Sequence, residues 1–307
     1  MNAAAKLLTP LPLRGGTALP CRLLAGPMEA VTAGVWLTQL TARKWITSWW
    51  TPFLRISTGV PRPSRLATHL EPFLRTRLPF IAQLMGTDGA LLAEAARRLF
   101  TAGATAVDLN CACPMPAVTA NGAGGACLRN PAWIRETLLR MREAVDDRPI
   151  GVKVRMGWQE ASEFTRDIAP ALREAAPDFV TVHFRTVCEQ YRLVSDGLDR
   201  LSTAREALPQ TMLIGSGDLF TPQDIIDMTE QCGVDAVAPA RGLLRNPRLL
   251  AETAALLRGK PLPSFGETDA RDFLAGCAAD GAPHGFLLQL AANIYGKDSP
   301  QFRDMLT

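Results

Sequence analysis

The sequence lacks several features that would place the protein in a common class. It contains no run of about 20 apolar residues, so no membrane-spanning helix is predicted. The first 20 residues carry Lys6, Arg14 and three prolines without a continuous apolar core, so we expect no signal peptide. No segment is of low complexity.

The sequence also gives no sign of a disulfide framework or of a strong net charge. The seven cysteines are odd in number and do not follow the spacing of a secreted disulfide framework, so we expect reduced thiols in a cytoplasmic protein. The 33 basic and 30 acidic residues give a formal charge of +3. This mild excess permits an anionic partner without requiring one.

Short apolar runs alternate with longer helical patterns from residue 22 onward. The predicted strands are residues 22–26, 45–56, 79–85, 105–109, 150–154, 179–183, 212–215 and 234–238. The predicted helices between them are residues 33–42, 64–75, 88–102, 131–145, 162–175, 198–208 and 221–232. Eight β/α repeats predict a (β/α)8 TIM barrel. The rival is a doubly wound sheet, but the first strand is followed by Pro27-Met28-Glu29 rather than a glycine-rich dinucleotide fingerprint.

The chain changes character after Pro247. A helix is predicted at residues 248–258, a Pro/Gly-rich linker at 260–266, and two more helices at 269–279 and 285–295. We therefore expect an N-terminal extension over residues 1–20, the barrel over 21–250, and a small all-helical C-terminal domain over 251–307.

Polar residues fall at the carboxyl ends of the predicted strands, where barrels place their active sites. These residues are Gln83, Asn110, Cys113, Lys153, Arg155, His183, Arg185, Ser216, Asp218 and Arg241. Their convergence on one mouth predicts a functional site there.

The loops after strands seven and eight predict a phosphate site. They read Ser216-Gly217-Asp218 and Ala240-Arg241-Gly242, and barrels often bind phosphate at these two positions through backbone N–H groups. The alternative is that the glycines only form tight turns. Gln83, Asn110 and Lys153 favour a flavin, whose ring needs donors to its carbonyl oxygens and a cation near its N1–C2 edge. Lys153 would otherwise be a costly buried charge unless it forms a structural ion pair.

Cys113 is the candidate catalytic residue. A thiol is mostly protonated at neutral pH and can donate a proton, although a passive core thiol is the commoner role. Cys111 and Cys113 are too close in sequence for a zinc pair, so no metal is expected. His183 and Arg185 point the same way at the end of strand six, which favours a functional role for His183 over a structural one.

Together these residues resemble the bacterial tRNA-dihydrouridine synthases, and the C subgroup in particular. The matching segments are residues 26–32, 51–56, 83–86, 108–114, 121–126, 152–158, 182–192 and 240–242. The resemblance implies FMN as cofactor and NADPH as reductant. It implies hydride transfer from flavin N5 to C6 of uridine in tRNA, with Cys113 as the proton donor to C5.

The resemblance also implies roles for the other site residues. The implied cofactor contacts are Pro27, Met28, Gln83, Lys153, His183, Ser216, Gly217, Asp218, Ala240, Arg241 and Gly242. Asn110, Arg155 and Arg185 are implied to bind the substrate. We expect a monomer that binds tRNA, or rRNA as a second possibility, and that has no membrane contact.

The sequence departs from the family pattern at several places, among them Ser216, Ala240, Ala30 and Ala33, and two departures bear on function. The family has glycine where this chain has Phe184, so we expect this ring to crowd the flavin edge. The predicted helix at 285–295 lacks the basic residues that hold tRNA phosphates in the family. Arg55, Arg62, Arg65, Arg75 and Arg77 form either another RNA surface or a solvated helical face.

Two alternative functions therefore stay open: an FMN barrel that reduces a free pyrimidine or enone, and an RNA-binding relative that has lost turnover.

Overall fold

The structure is a computed structural model that describes residues 3–29 and 34–305. Residues 30–33 lie outside it, and with them the second half of the segment 26–32 and the first residue of the predicted helix 33–42.

A parallel sheet forms the centre of the molecule. Its strands are β3 (Trp49–Trp50), β4 (Leu54–Ile56), β5 (Phe80–Gly86), β6 (Ala106–Cys111), β7 (Ile150–Arg155), β8 (Phe179–His183), β9 (Met212–Ser216) and β10 (Ala236–Val237). They pair in chain order, with both β3 and β4 on β5. Leu23 forms a parallel bridge to Val237, and the N–H of Leu24 donates to the Val237 carbonyl over 2.9 Å. The first extended segment thus closes onto the last strand, as a β/α barrel requires.

The predicted second strand, residues 45–56, is divided into β3 and β4. Pro52 lies between them and has no N–H to donate to a ladder. The Thr51 hydroxyl takes over part of the pairing, because it accepts a hydrogen bond of 3.0 Å from the Gln83 N–H.

Helices cover the outside of the sheet. They are α1 (Gly34–Ala42), α2 (Pro63–Thr76), α3 (Gly89–Thr101), α4 (Pro116–Thr119), α5 (Pro131–Val145), α6 (Ala169–Ala175), α7 (Gly197–Ala207), α8 (Pro222–Cys232), α9 (Arg241–Arg245) and α10 (Leu249–Leu257). Side-chain caps begin several of them: Asp88 accepts from two N–H groups of α3, and Thr221 and Asp224 form a capping box on α8. The predicted helix 162–175 is a π-helical turn (Phe164–Ile168) followed by α6, since Pro170 cannot donate the helical bond to the preceding turn.

The N-terminal segment closes the lower end of the barrel. Leu11–Pro12 (β1) and Ala18–Leu19 (β2) form a short antiparallel hairpin. Leu11, Leu13 and Leu19 are buried in one cluster with side chains from six barrel strands. The predicted extension is therefore part of the core.

The C-terminal segment contains α11 (Glu267–Ala279), α12 (His284–Ile294) and α13 (Pro300–Asp304). Phe273 of α11 stacks on Trp45 with ring centroids 5.7 Å apart, and both Phe273 and Leu290 belong to the main core cluster. The predicted boundary at residue 251 lies inside α10, which packs on α8. Among the described residues, no helix is both long and apolar enough to cross a bilayer.

Candidate active site

A cavity of about 470 Å³ opens at the carboxyl ends of the strands. Twelve of the fifteen predicted site residues line it: Pro27, Met28, Gln83, Asn110, Cys113, Lys153, Arg155, His183, Ser216, Gly217, Ala240 and Arg241. The residues that the prediction missed are Glu29, Phe53, Ala112, Pro114, Met115, Tyr191, Ala238 and Leu244. Most of these are apolar and carry no chemical signal in the sequence. Arg185, Asp218 and Gly242 do not line the cavity.

A chain of hydrogen bonds begins at a buried carboxylate and ends at the cysteine loop. Gln83 Nε2 donates to Asp108 Oδ2 over 2.5 Å, and Asn110 Nδ2 donates to Gln83 Oε1 over 2.8 Å. Asn110 Oδ1 then accepts from the N–H groups of Ala112 and Cys113, at 2.9 and 3.0 Å. The orientation of each amide is therefore fixed, and the backbone beside the Cys113 thiol is held to the barrel floor.

Two groups of opposite charge lie at this floor, Asp108 behind the cavity wall and the half-buried Lys153 in it. Asp108 is fully buried, and burial raises its pKa to about 7, while the Gln83 hydrogen bond and the charge of Lys153 oppose the rise. Burial lowers the pKa of Lys153 to about 8; Arg155 adds to this effect, and Asp108 opposes it. The register of β6 on β7 places Lys153 opposite Asn110, so both side chains face the cavity.

Arg155 connects two loops of the cavity wall. Its Nε donates to the Ala112 carbonyl over 2.8 Å, and its Nη1 donates to the carbonyls of Thr186 and Gln190, at 2.8 and 3.1 Å. Burial lowers its pKa to about 10. The side chain thus holds the cysteine loop against the loop that follows β8.

The protonation of His183 follows from its contacts. Its Nδ1 accepts from the Arg185 N–H over 3.2 Å, which leaves the ring proton on Nε2. Burial and the nearby cations Arg155 and Lys153 hold its pKa well below its usual value. His183 is therefore a neutral donor in the cavity wall.

Arg185 lies behind the cavity wall rather than in it. It is fully buried and forms a bidentate ion pair with Asp218, whose Oδ1 also accepts from Arg241 Nη2 over 2.7 Å. The two arginines share one carboxylate, so Arg185 and Asp218 together orient Arg241 at the cavity rim. Gly242 is packed against the Leu219 carbonyl, which a Cβ atom would meet at 1.9 Å.

The Phe184 ring lies beside the cavity rather than in its lining. The ring does not line the cavity, although its centroid lies 5.4 Å from that of the His183 ring in the cavity wall. It is buried against two glycines instead: a Cβ on Gly217 would lie 2.0 Å from the ring, and one on Gly197 would lie 3.0 Å from it. Phe184 therefore fills space under the loop after β9.

The glycine-rich loop 121–125 supports Cys113 from the other side. The Gly125 N–H donates to the Cys113 carbonyl over 2.9 Å. Gly124 has a φ of +58°, and a Cβ there would lie 3.0 Å from that of Cys113. A side chain at this position would displace the thiol.

The donor set of the cavity fits the flavin that the resemblance implies. Lys153, the Nε2–H of His183 and the remaining amide N–H groups of Gln83 and Asn110 suit a flat ring with carbonyl oxygens, and Arg241 suits a phosphate. Within residues 3–29 and 34–305, no group of three or more His, Cys, Asp or Glu side chains forms a metal-binding cluster.

Comparisons with known proteins identify the family. The model of the family described as dihydrouridine synthase (Dus) matches residues 23–274. The chain is 33% identical over 180 residues to the tRNA-dihydrouridine(16) synthase of Haemophilus influenzae, a match that covers 58% of this chain and 57% of the relative. It is 32% identical over 234 residues to the protein of that name from Escherichia coli K12, with 74% of each chain covered. The match thus spans little more than half the length of the Haemophilus relative.

Two solved structures share the fold. TcOYE in complex with pHBA superposes with a TM-score of 0.62 at 12% identity, over 91% of this chain and 99% of that chain. A 2-naphthoyl-CoA reductase superposes with a TM-score of 0.64 at 11% identity, over 84% and 53% of the two chains. The predicted barrel fold is confirmed.

Proposed function

We propose, since the chain belongs to the dihydrouridine synthase family, that it reduces uridine in tRNA to 5,6-dihydrouridine with bound FMN and with NADPH as reductant. The observation that carries the proposal is one cavity in which the Cys113 thiol, the Lys153 ammonium and the Gln83–Asn110 amide pair lie together. We expect the protein to act in the cytoplasm, on tRNA after transcription.

The cofactor, when bound, supplies the hydride that reaches C6 of the uracil ring. Lys153 would hold the electron-rich edge of the flavin, and Gln83 and His183 would donate hydrogen bonds to the ring. Arg241, which donates to Asp218 over 2.7 Å, would bind the cofactor phosphate.

Cys113 completes the reduction. Its thiol gives a proton to C5 of uracil, so that one hydride and one proton are added across the C5–C6 bond. The thiolate that remains lies in the field of Lys153 and Arg155, which stabilises its negative charge until solvent returns the proton. Asn110 and Arg155 hold the loop that carries the thiol, so the donor is in place before the base arrives.

The uridine must leave its stack to enter this cavity. Phe53, Met115 and Tyr191 give the cavity an apolar wall against which an unstacked base can pack. Position 16 is the first tRNA position to test, because the Haemophilus and Escherichia relatives are named for it.

The test is mass spectrometry of nucleosides from total tRNA and rRNA, with and without the gene. We expect dihydrouridine to disappear from one mapped tRNA position when the gene is removed. Loss only from rRNA would change the partner and keep the chemistry. A yellow protein whose removal changes neither RNA would instead favour reduction of a free small molecule.

The Cys113→Ala variant tests the assignment of the proton donor. We expect it to keep its flavin and to lose on the order of 100- to 10,000-fold in uridine reduction, the usual contribution of a general acid. Cys188→Ala is the matched control, since Cys188 is exposed and lies outside the cavity. Full activity of Cys113→Ala would remove the thiol from the mechanism.

A further inference from the structure

A second concave surface lies between β4 and the first turn of α2. It encloses about 520 Å³ and is lined by Arg55, Ser57, Thr58, Gly59, Val60, Pro61, Arg62, Ser64 and Arg65. We call it the arginine pocket. Its polar side chains are three guanidinium groups and three hydroxyl groups, and no carboxylate lines it. Every one of these groups can donate a hydrogen bond to an anion.

The three arginines have no partner elsewhere in the described chain. The side chains of Arg55, Arg62 and Arg65 are exposed and form no ion pair or side-chain hydrogen bond with any other residue of segments 3–29 and 34–305. Arg75, at the other end of α2, is paired with Glu71. Three like charges that share one concave surface repel each other, and an anion would relieve that repulsion.

The arginine pocket adjoins the active-site cavity. Phe53 lines the cavity and Arg55 lines the arginine pocket, so their Cα atoms lie within about 7 Å of each other along an extended chain. Arg55 is paired in register with Met85, so both side chains lie on one face of the sheet, and Met85 packs with Phe53 and Cys113. The positive surface therefore begins at the rim beside the cysteine loop.

We propose that the arginine pocket binds phosphate groups of the RNA strand next to the uridine that enters the cavity. The inference rests on the proposed function, because it assumes a polynucleotide substrate. Arginine is suited to this task, since its planar fork binds phosphate oxygens in pairs and stays charged at neutral pH. The positive end of the α2 dipole also faces the pocket, since α2 begins at Pro63 between Arg62 and Arg65. The pocket replaces the basic residues that α12 lacks.

The expected partner follows from the pocket's place in the fold. A strand whose base occupies the cavity must run its backbone over the rim, and the rim beside Cys113 leads into the arginine pocket. The phosphates of NADPH are the competing ligand, and the experiment separates the two.

The test compares Arg55→Gln/Arg62→Gln/Arg65→Gln, which removes the three arginines of the pocket, with Arg75→Gln/Arg77→Gln, which removes two exposed arginines at the C-terminal end of α2. Dissociation constants for tRNA are measured by filter binding from 50 to 200 mM salt. We expect the triple variant to bind tRNA at least about tenfold more weakly. The negative slope of the logarithm of the association constant against the logarithm of the salt concentration should become less steep by about 2 to 3. The double variant should match the wild type in both. Flavin content and the KM for NADPH should not change.

The outcomes are distinct. Unchanged tRNA affinity and slope in the triple variant, or an equal loss in the double variant, overturns the inference. A raised KM for NADPH with unchanged tRNA binding assigns the pocket to the dinucleotide and also overturns it. Binding is measured without turnover, so a protein that binds tRNA through these arginines but reduces no uridine would refute the proposed function and leave this inference standing.

Discussion

Flavin affinity should depend on pH through Lys153. Burial lowers the pKa of this ammonium to about 8, so the fraction that is charged falls from about 0.9 at pH 7 to about 0.1 at pH 9. If the charged form binds the electron-rich edge of FMN, affinity should stay level below pH 7 and fall about tenfold by pH 9. This loss corresponds to about 1.4 kcal/mol of binding free energy.

The assay is a titration of the flavin-free protein with FMN, followed by the quenching of flavin fluorescence between pH 6.5 and 9.5. Lys153→Met should bind FMN weakly at every pH and show no such fall. Asp108→Asn should move the midpoint of the fall below pH 8, because the Asp108 charge raises the pKa of Lys153. Asparagine Oδ1 can still accept from Gln83, so the hydrogen-bond chain to Cys113 is kept.

Unfolding at high pH would not produce this result through Lys153. The pKa of this group in the folded chain is about 8 and lies below its ordinary value of 10.5, so between these values the unfolded chain binds more protons. Its contribution to stability therefore rises with pH in that range, opposite to the expected change in affinity. Constant affinity of the wild type up to pH 9.5, or the same fall in Lys153→Met, would refute the role of Lys153.

Two further predictions concern residues that position the site. Arg155→Leu leaves three backbone carbonyls without their donor, including that of Ala112. We expect a lower melting temperature, at a cost in stability of about 1–3 kcal/mol per unpaired buried group, and a larger loss in uridine reduction than in flavin content. Arg173→Leu is the control, because Arg173 is exposed and also donates to a backbone carbonyl. Equal flavin loss and turnover loss would make the role of Arg155 purely structural. Gly217→Ala should destabilise by about 1–3 kcal/mol in a denaturant titration, because its Cβ would lie 2.0 Å from the Phe184 ring. The cost should nearly vanish when it is introduced into Phe184→Ala, and additive effects would contradict this packing.

The helices and strands of the barrel could be predicted from the sequence because each one buries an apolar face. The helix at Pro131–Val145 and the strand at Phe179–His183 have the predicted bounds. The hairpin of β1 and β2 was not predicted, because strands of two residues carry no periodic signal. Its three leucines enter the barrel through tertiary packing alone, which local sequence does not encode.

The location of the active site could be predicted from the sequence for a different reason. In a parallel barrel, residues at the carboxyl ends of the strands meet at one mouth whatever their distance along the chain, so the order of strands was enough to bring Gln83, Asn110 and Lys153 together. The same argument could not separate Arg185 from Arg241. Asp218 binds both arginines and thereby decides that Arg241, and not Arg185, faces the cavity. The ion pair between Arg185 and Asp218 joins residues 33 positions apart, so it leaves no local pattern in the sequence.

Asp108 shows what a buried charge in a strand can indicate. An acid in the middle of Ala106–Cys111 has no solvent to stabilise it, and burial moves its pKa to about 7. Replacement by an apolar residue would remove that cost, but it would also leave Gln83 Nε2 without its acceptor. The Gln83 amide would then be free to rotate, and with it Asn110 and the two N–H groups that hold the cysteine loop. The carboxylate thus costs folding free energy but keeps the cysteine loop at one place above the cavity floor, so Asp108 supports the site although it lies behind the cavity wall.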